Sequence, residues 1–254
     1  MKLSVYIVTL NEEKRIGRTL EAASKVADEI VLVDSGSTDN TIKIADKYGA
    51  NIFFNKWESY CKQKSFAEKK CSFDWVLMLD ADEVLSQELI DEIINWKKKT
   101  PKFQAYNIKI CNMFEQDETP RRFAQSFNVV RLYNRQFAFL PPDLNNKDRV
   151  KVEKGEPIGQ MNGIIHHYCI LSIEQAVAKY NLHSTELLKA VVNENRKFSR
   201  LRLVTEFPRQ FLRYYFIKKY CLLGSQGFIQ AMILAYFRFL KIAKWFEWEE
   251  NNKE

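Results

Sequence analysis

Runs of apolar residues and helix-spaced apolar stripes alternate along the first hundred residues. "LSVYIVTL" opens the chain as a nearly continuous apolar run, the signature of a strand covered on both faces. In "NEEKRIGRTLEAASK", Ile16, Leu20 and Ala23 then recur at helical spacing. A second strand is expected at Ile30 to Val33, followed by the loop "DSGSTDN" and the helix "TIKIADKYG", which Gly49 ends. "ANIFFN" predicts a third strand. A polar, Lys-rich helix from about Tyr60 to Cys71 leads to "DWVLMLDADEVL", whose apolar stretch from Trp75 to Leu79 is a fourth buried strand. "SQELIDEIINWKKK" is an amphipathic helix with Ser86 at its N-cap, acids early and lysines late. Alternation of this kind predicts an α/β fold with a parallel sheet and helices on both faces.

The pattern changes after Pro101. "FQAYNIKICNMF" and "FNVVRLYN" are strands with no helix between them, an antiparallel or mixed extension of the sheet. From "FLPPDLNNKDRV" to "GEPIGQMNG" the chain is expected to be mostly loop, and "SIEQAVAKYNLHSTELLKAVVNENRK" is a helix. The rest is aromatic and basic. The pattern divides the chain into a sheet domain over residues 1–170, in halves 1–100 and 101–170, and a helical region over 171–254. There is no internal repeat and no low-complexity linker.

Charge sharpens this division. The 254 residues carry a net charge of +7, which suits an anionic partner such as a nucleotide or an acidic membrane surface. Between Arg196 and Phe246 there are eleven Lys or Arg against one acid, Glu206, a local charge of +10 that exceeds the whole-chain excess. The basicity is therefore regional. It is interleaved with aliphatic residues rather than confined to exposed aromatics, which speaks against a nucleic-acid groove. The five cysteines form no C-x-x-C pair and no zinc spacing, as expected of thiols in a reducing compartment. "MKLSVYIVTLNEEKR" reads as a first strand rather than a signal peptide, so the sheet domain is expected in the cytoplasm.

Two acidic clusters stand at the carboxyl ends of predicted neighbouring strands: Asp34 with Asp39, and Asp80 with Asp82. That edge of an open α/β sheet is where ligands bind. Oxygen donors converging there suit Mg²⁺ or Mn²⁺. In an extended D-x-D segment the two carboxylates share one side, so one can take a metal and the other a hydroxyl. Gly36 permits a turn, and Ser37, Thr38 or Asp39 can cap the helix that follows. Neither a G-x-G-x-x-G nor a P-loop motif is present.

"VTLNEE" (8–13), "VDSGSTDNT" (33–41), "WESYCKQKSFA" (57–67) and "WVLMLDADE" (75–83), in this order, resemble glycosyltransferase family 2 with its GT-A fold. The resemblance covers essentially the whole chain and is nearest to the lipopolysaccharide inner-core β-1,4-glucosyltransferases. It implies a GT-A domain over 1–170 whose first half binds the nucleotide-sugar and whose second half meets the acceptor. Thr9, Leu10, Asn11 and Glu12 would line the nucleotide pocket, partly through backbone groups, and Asp34 would accept a hydrogen bond from uracil, with Ser35 and Asp39 beside it. Asp80 and Ala81 would approach the ribose and donor sugar, and Asp82 would bind a divalent cation bridging the phosphates. Lys62 and Lys64 fall where such enzymes carry a basic residue near the nucleotide. His167, in "GIIHHYCI", aligns with a His-Tyr stretch of the subgroup and would add an imidazole ligand to the cation.

The family's general base usually stands in a V-H-E-like stretch. Here that region reads "NNKDRVKV", and the nearest acid is Asp148, with Asp143 and Glu153 nearby. The resemblance implies inverting transfer of a hexose, glucose foremost, from a UDP-sugar to a lipid-linked core oligosaccharide. It is much less specific for the sugar than for the family, so another donor, a capsule or protein-glycan acceptor, or a catalytically silent scaffold stay open. From Tyr220 to Phe237 eighteen residues carry no charge, which touches the lower limit for a membrane span. Gly224, Gly227 and the flanking cations fit better with helices lying in the interface of an anionic membrane, which would place the protein peripherally on the cytoplasmic face of the inner membrane.

Overall fold

A computed structural model of the chain describes residues 1–115, 117–122, 124–142, 149–168 and 172–252. It resolves into two compact units, Met1–Met113 with Ser126–Cys169, and Phe114–Gln125 with Ile170–Glu254.

The first unit begins with β1 (Leu3–Thr9), α1 (Ile16–Ser24), β2 (Glu29–Asp34), α2 (Thr41–Lys47), β3 (Asn51–Phe54), α3 (Tyr60–Lys70) and β4 (Trp75–Asp80). It continues with β5 (Glu83–Leu85), α4 (Gln87–Lys97), β6 (Ala105–Asn112), β7 (Ser126–Asn134), β8 (Ala138–Phe139), β9 (Lys151–Val152) and β10 (Ile158–His167). Eight strands form one sheet in the order β3-β2-β1-β4-β7-β6-β10-β5, and β8 and β9 form a small separate pair. The four strands β3, β2, β1 and β4 run parallel, whereas β7 is antiparallel to both β4 and β6. Because β2 and β4 flank β1 on opposite sides, strand order reverses at β1 and opens a crevice at the carboxyl ends. Thr9, Asp34 and Asp80 stand at those ends.

Both faces of the parallel strands are covered, which is why they read as unbroken apolar runs. On one face Leu3, Val5, Ile7, Leu32, Leu77 and Leu79 pack with Ile16 and Leu20 of α1 and with Leu89 and Ile93 of α4. On the other, Tyr6, Val8, Val31, Val33, Val76 and Met78 meet Ala67 of α3 and Ala138 of β8. The Ser86 hydroxyl accepts from the Leu89 N–H and caps α4, and Gly49 ends α2 at φ +66, both as the sequence predicts.

The expected loop up to Gly163 is a difference. Residues 158–163 lie in β10, which runs parallel to β6 and antiparallel to β5. Its glycines mark close approach rather than a turn. A Cβ at Gly163 would stand 2.4 Å from the Leu89 backbone, and one at Gly159 would stand 2.6 Å from the Phe103 and Tyr106 rings.

The second unit contains α5 (Ile173–Asn193), α6 (Arg200–Leu212), a π-turn at Arg213–Ile217, a 3₁₀ turn at Tyr220–Leu223 and α7 (Gly224–Asn251). Val191, Phe198, Ile242 and Trp245 form its core, with a satellite of Tyr220, Leu223 and Ala231. The segment Phe114–Gln125, which the sequence pattern groups with the sheet, belongs here. Arg121 donates to the Leu223 carbonyl at 3.2 Å, and the Tyr220 hydroxyl donates to Gln125 Oε1 at 3.0 Å.

Candidate active site

The loops after β1 and β2 interlock through reciprocal hydrogen bonds. The N–H groups of Asn11, Glu12 and Glu13 donate to Ser37 Oγ (2.8 Å), Thr41 Oγ1 (2.8 Å) and Asp39 Oδ2 (3.1 Å). In return, the N–H groups of Thr38 and Asn40 donate to Asn11 Oδ1 (2.8 Å) and Glu13 Oε2 (3.0 Å). Asn11 takes φ +54 to reach across, a conformation Asn adopts more readily than most residues. Asp34 accepts from the N–H groups of Gly36 and Ser37, both at 2.8 Å, and from the Ser37 hydroxyl at 2.5 Å. Gln63 donates from α3 to Ser35 Oγ at 2.6 Å.

These bonds change what the first motif offers a ligand. The backbone N–H groups of Asn11 and Glu12, expected to face a nucleotide, are engaged by the neighbouring loop. The exposed side chain of Leu10 and the buried Thr9 hydroxyl, which has no hydrogen-bond partner among the described residues, remain at the crevice. Asp39 accepts from Thr41 N–H at 2.9 Å and so caps α2, whereas Asn40 at the formal cap position makes no side-chain cap. Burial disfavours the Asp39 anion, but its hydrogen bonds to Thr41 and Glu13 outweigh this and lower its pKa.

The exit of β4 is built from charge. β4 ends at Asp80, and Ala81 and Asp82 form a turn, so the D-x-D is not the extended segment its spacing suggests. Each aspartate has its own cations. Asp80 Oδ1 lies 2.6 Å from Lys64 Nζ, and Asp80 Oδ2 lies 3.3 Å from Arg131 Nη2. The same Arg131 nitrogen is 2.6 Å from Glu83 Oε1, and Glu83 Oε2 accepts from the Asp80 N–H at 2.9 Å. Asp82 Oδ2 lies 3.5 Å from Arg15 Nη1, and Asp82 Oδ1 lies 3.4 Å from His167 Nε2.

Burial alone would push the Asp80 carboxyl up, but the charges of Lys64 and Arg131 hold it well below the usual carboxylate range. Burial wins at Glu83, whose pKa is raised despite Arg131. For His167, burial opposes protonation, but the hydrogen bond it donates to Asp82 and the charges of Asp82, Glu83 and Asp80 raise its pKa. Burial lowers that of His166.

Lys64 therefore meets Asp80 in the crevice, whereas Lys62, two residues earlier, pairs with Glu58 at 2.6 Å at the surface. Ala81 is buried, and its carbonyl accepts from the Thr19 hydroxyl at 2.9 Å. Asp148 and Asp143, candidate bases, lie outside the described residues. Glu153 is exposed beyond β9.

Three participants escaped the sequence pattern. Arg15 is almost fully buried; it pairs with both Glu12 oxygens (2.7 and 2.6 Å) and donates to the Tyr168 carbonyl at 3.0 Å while reaching Asp82. Arg131 comes from the middle of β7, far from any motif. Glu83 follows the D-x-D directly, and its proximity to it was the only signal.

If a divalent cation binds here, Asp82 and His167 are the side chains that would hold it. His167 Nδ1 lies 3.1 Å from Asn112 Oδ1; an N–H donated there leaves Nε2 directed at Asp82, the second contact typical of an imidazole ligand. A carboxylate with an imidazole suits Mn²⁺ more than Mg²⁺. No cluster of three or more metal-ligating side chains exists among the described residues. Two protein donors would leave most of a cation's shell to other oxygen ligands.

The sequence profile of glycosyl transferase family 2 matches residues 4–155. The chain is 43% identical over 251 residues to an uncharacterised glycosyltransferase of Rickettsia typhi, covering 96% of this chain and 86% of that one. It is 29% identical to the lipopolysaccharide core biosynthesis glycosyltransferase LpsC of Rhizobium meliloti, covering 96% and 92%. Among solved structures it is similar to S. aureus TarS at a TM-score of 0.46 and 17% identity, over 100% of this chain and 56% of that one.

Proposed function

This chain belongs to glycosyl transferase family 2, with the α/β architecture of the GT-A fold and a mostly parallel sheet, and from that premise we propose that it transfers a hexose from a UDP-sugar to a lipid-linked core oligosaccharide. Glucose is the first candidate for the hexose. The relationship to LpsC, named for lipopolysaccharide core biosynthesis, supports the acceptor class. The site of action is the cytoplasmic face of the inner membrane.

The observation that carries the reading is the division of labour at the β4 exit. Lys64 and Arg131 keep Asp80 ionised, so its oxygens can accept from a ribose hydroxyl. Asp82 and His167 would hold a divalent cation, with Arg15 fixing the other Asp82 oxygen. When bound, that ion neutralises charge on the departing diphosphate. Asp34, Ser35 and Asp39 hold the uracil end of the crevice, with Thr9, Leu10, Asn11 and Glu12 beside it, and Ala81 borders the sugar. Asp148 is assigned the proton of the acceptor hydroxyl. As that oxygen bonds to the anomeric carbon, the bond to UDP breaks and configuration inverts.

Calorimetric titration of UDP and UDP-glucose, with Mn²⁺ or with EDTA, tests this reading alongside transfer to a core oligosaccharide. Binding that needs Mn²⁺ and is lost in Asp82→Asn is expected. Equal binding in EDTA and in that variant would remove the cation from the reading. Binding without transfer to any acceptor would make the chain a sugar-nucleotide scaffold.

A further inference from the structure

One helix of the second unit has an apolar face that the unit leaves uncovered. Along α6, Leu201, Val204, Pro208 and Leu212 recur every three or four residues, so they share one face. All four are exposed, and the surface continues through Phe216, Ile217 and Leu222. Leu201, Val204 and Ile217 are 73%, 75% and 74% exposed. Arg200, Arg209, Arg213 and Lys218 border this surface and are exposed as well. The one acid of the region, Glu206, is turned inward, where it accepts from Arg202, Arg209 and Gln210 at 3.1, 2.7 and 2.9 Å.

α7 is more covered, although Phe228, Met232 and Tyr236 stay exposed. With the preceding turn it forms the one stretch among the described residues, Tyr220–Asn251, long and apolar enough by length and composition to cross a membrane. Yet Ala231, Ala235, Phe237, Ile242 and Trp245 are buried against the other helices. Its cations have partners within the unit. Lys244 donates to the Asn181 carbonyl, Asn181 Oδ1 and Thr185 Oγ1 at 2.8, 2.8 and 2.7 Å, and Lys241 and Arg238 lie over the Phe198 and Phe237 rings. Lys244 thereby ties α7 to α5, whereas Arg238 stacks on its own neighbour Phe237.

We propose that the exposed face of α6 and its continuation through Leu222, not α7, is the surface that docks this chain on a bilayer rich in anionic lipid. An apolar stripe rimmed by cations, with its only acid withdrawn, matches the boundary between acyl chains and anionic head groups. The inference goes beyond glycosyl transfer and stands or falls without it.

Flotation of the full chain with phosphatidylcholine vesicles, with and without about one-fifth phosphatidylglycerol, tests it. Wild type is expected to float with the anionic vesicles and to be released by about 0.5 M NaCl. Leu201→Ser/Val204→Ser/Ile217→Ser should weaken partitioning about tenfold or more, since three exposed apolar side chains lose their burial. Arg213→Gln/Lys218→Gln should remove the preference for anionic vesicles, and this second variant keeps the apolar face intact. Met232→Ser/Tyr236→Ser, on the exposed side of α7, should float like wild type. Circular dichroism and UDP binding are followed in parallel, so that loss of the surface is distinguished from loss of the fold or the site. Unchanged flotation of the α6 variant, flotation that resists salt as a span would, or a dimer of the free chain that the α6 variant abolishes would each overturn the proposal.

Discussion

Two acid-bearing loops leave strands on either side of β1, and they hold their carboxylates by different means. After β2, Asp34 and Asp39 accept from N–H groups and hydroxyls of neighbouring backbone and side chains. After β4, Asp80, Asp82 and Glu83 face Lys64, Arg131, Arg15 and His167. The first arrangement fixes a shape with neutral donors. The second balances formal charges in a partly desolvated place, where losing one partner strands the other. A loop of the first kind tolerates loss of a bond at modest cost, while one of the second kind couples chemistry to stability.

The contrast can be broken at four points. Asp82→Asn should lower kcat/KM about 10²–10³-fold with little change in melting temperature, because His167 and Arg15 keep a polar neighbour. Activity near the wild-type value would place the chemistry elsewhere. Lys64→Met should destabilise by about 2–3 kcal/mol in urea titration, below the ~3–5 typical of a fully buried pair, since the Asp80 side chain is 28% exposed. Adding Asp80→Asn should recover part of the loss, and a double variant as unstable as the single one plus a further penalty would deny the coupling. Asp39→Ala should cost only about 1–2 kcal/mol, the scale of a lost helix cap. A larger loss would mean that the β2 loop, too, depends on charge.

The smallest effect is a pH dependence. Because the folded-state pKa of Asp39 is lowered, its contribution is fully present above the ordinary aspartate value and fades as pH falls through the lower folded value. The stability gap between wild type and Asp39→Asn should be flat from pH 7 to about 5 and narrow below about pH 4. A gap that widens on acidification would reverse the sign and refute the assignment.

Much of the fold was legible because period and punctuation agree along it. The runs at Leu3–Thr9 and Trp75–Asp80, Gly49 and Ser86 each carry a local physical signal that the tertiary structure keeps. α3 is the instructive exception. Its Lys and Gln read as a solvated helix, yet Gln63, Lys64 and Glu68 are buried, because each finds a partner on another element: Ser35, Asp80 and Tyr133. No periodicity announces a polar face turned inward. Arg15 and Arg131 were hidden for the same reason, as isolated charges whose partners lie far away along the chain. The D-x-D was found by type, but its turn was not, since spacing says nothing about where a strand stops. In the tail, charge density was legible but its direction was not; only packing separates cations that bind Asn181 from those left facing outward.

The zipper between the β1 and β2 loops has a practical corollary for anyone recombining such enzymes. Asn11 and Glu13 supply acceptors to one segment while Ser37, Asp39 and Thr41 supply them to the other, so neither is a separable cassette. Grafting a foreign version of one segment alone would leave main-chain donors on both sides facing mismatched neighbours. The shape of this edge of the sheet is thus a property of a matched pair, to be exchanged together or left alone.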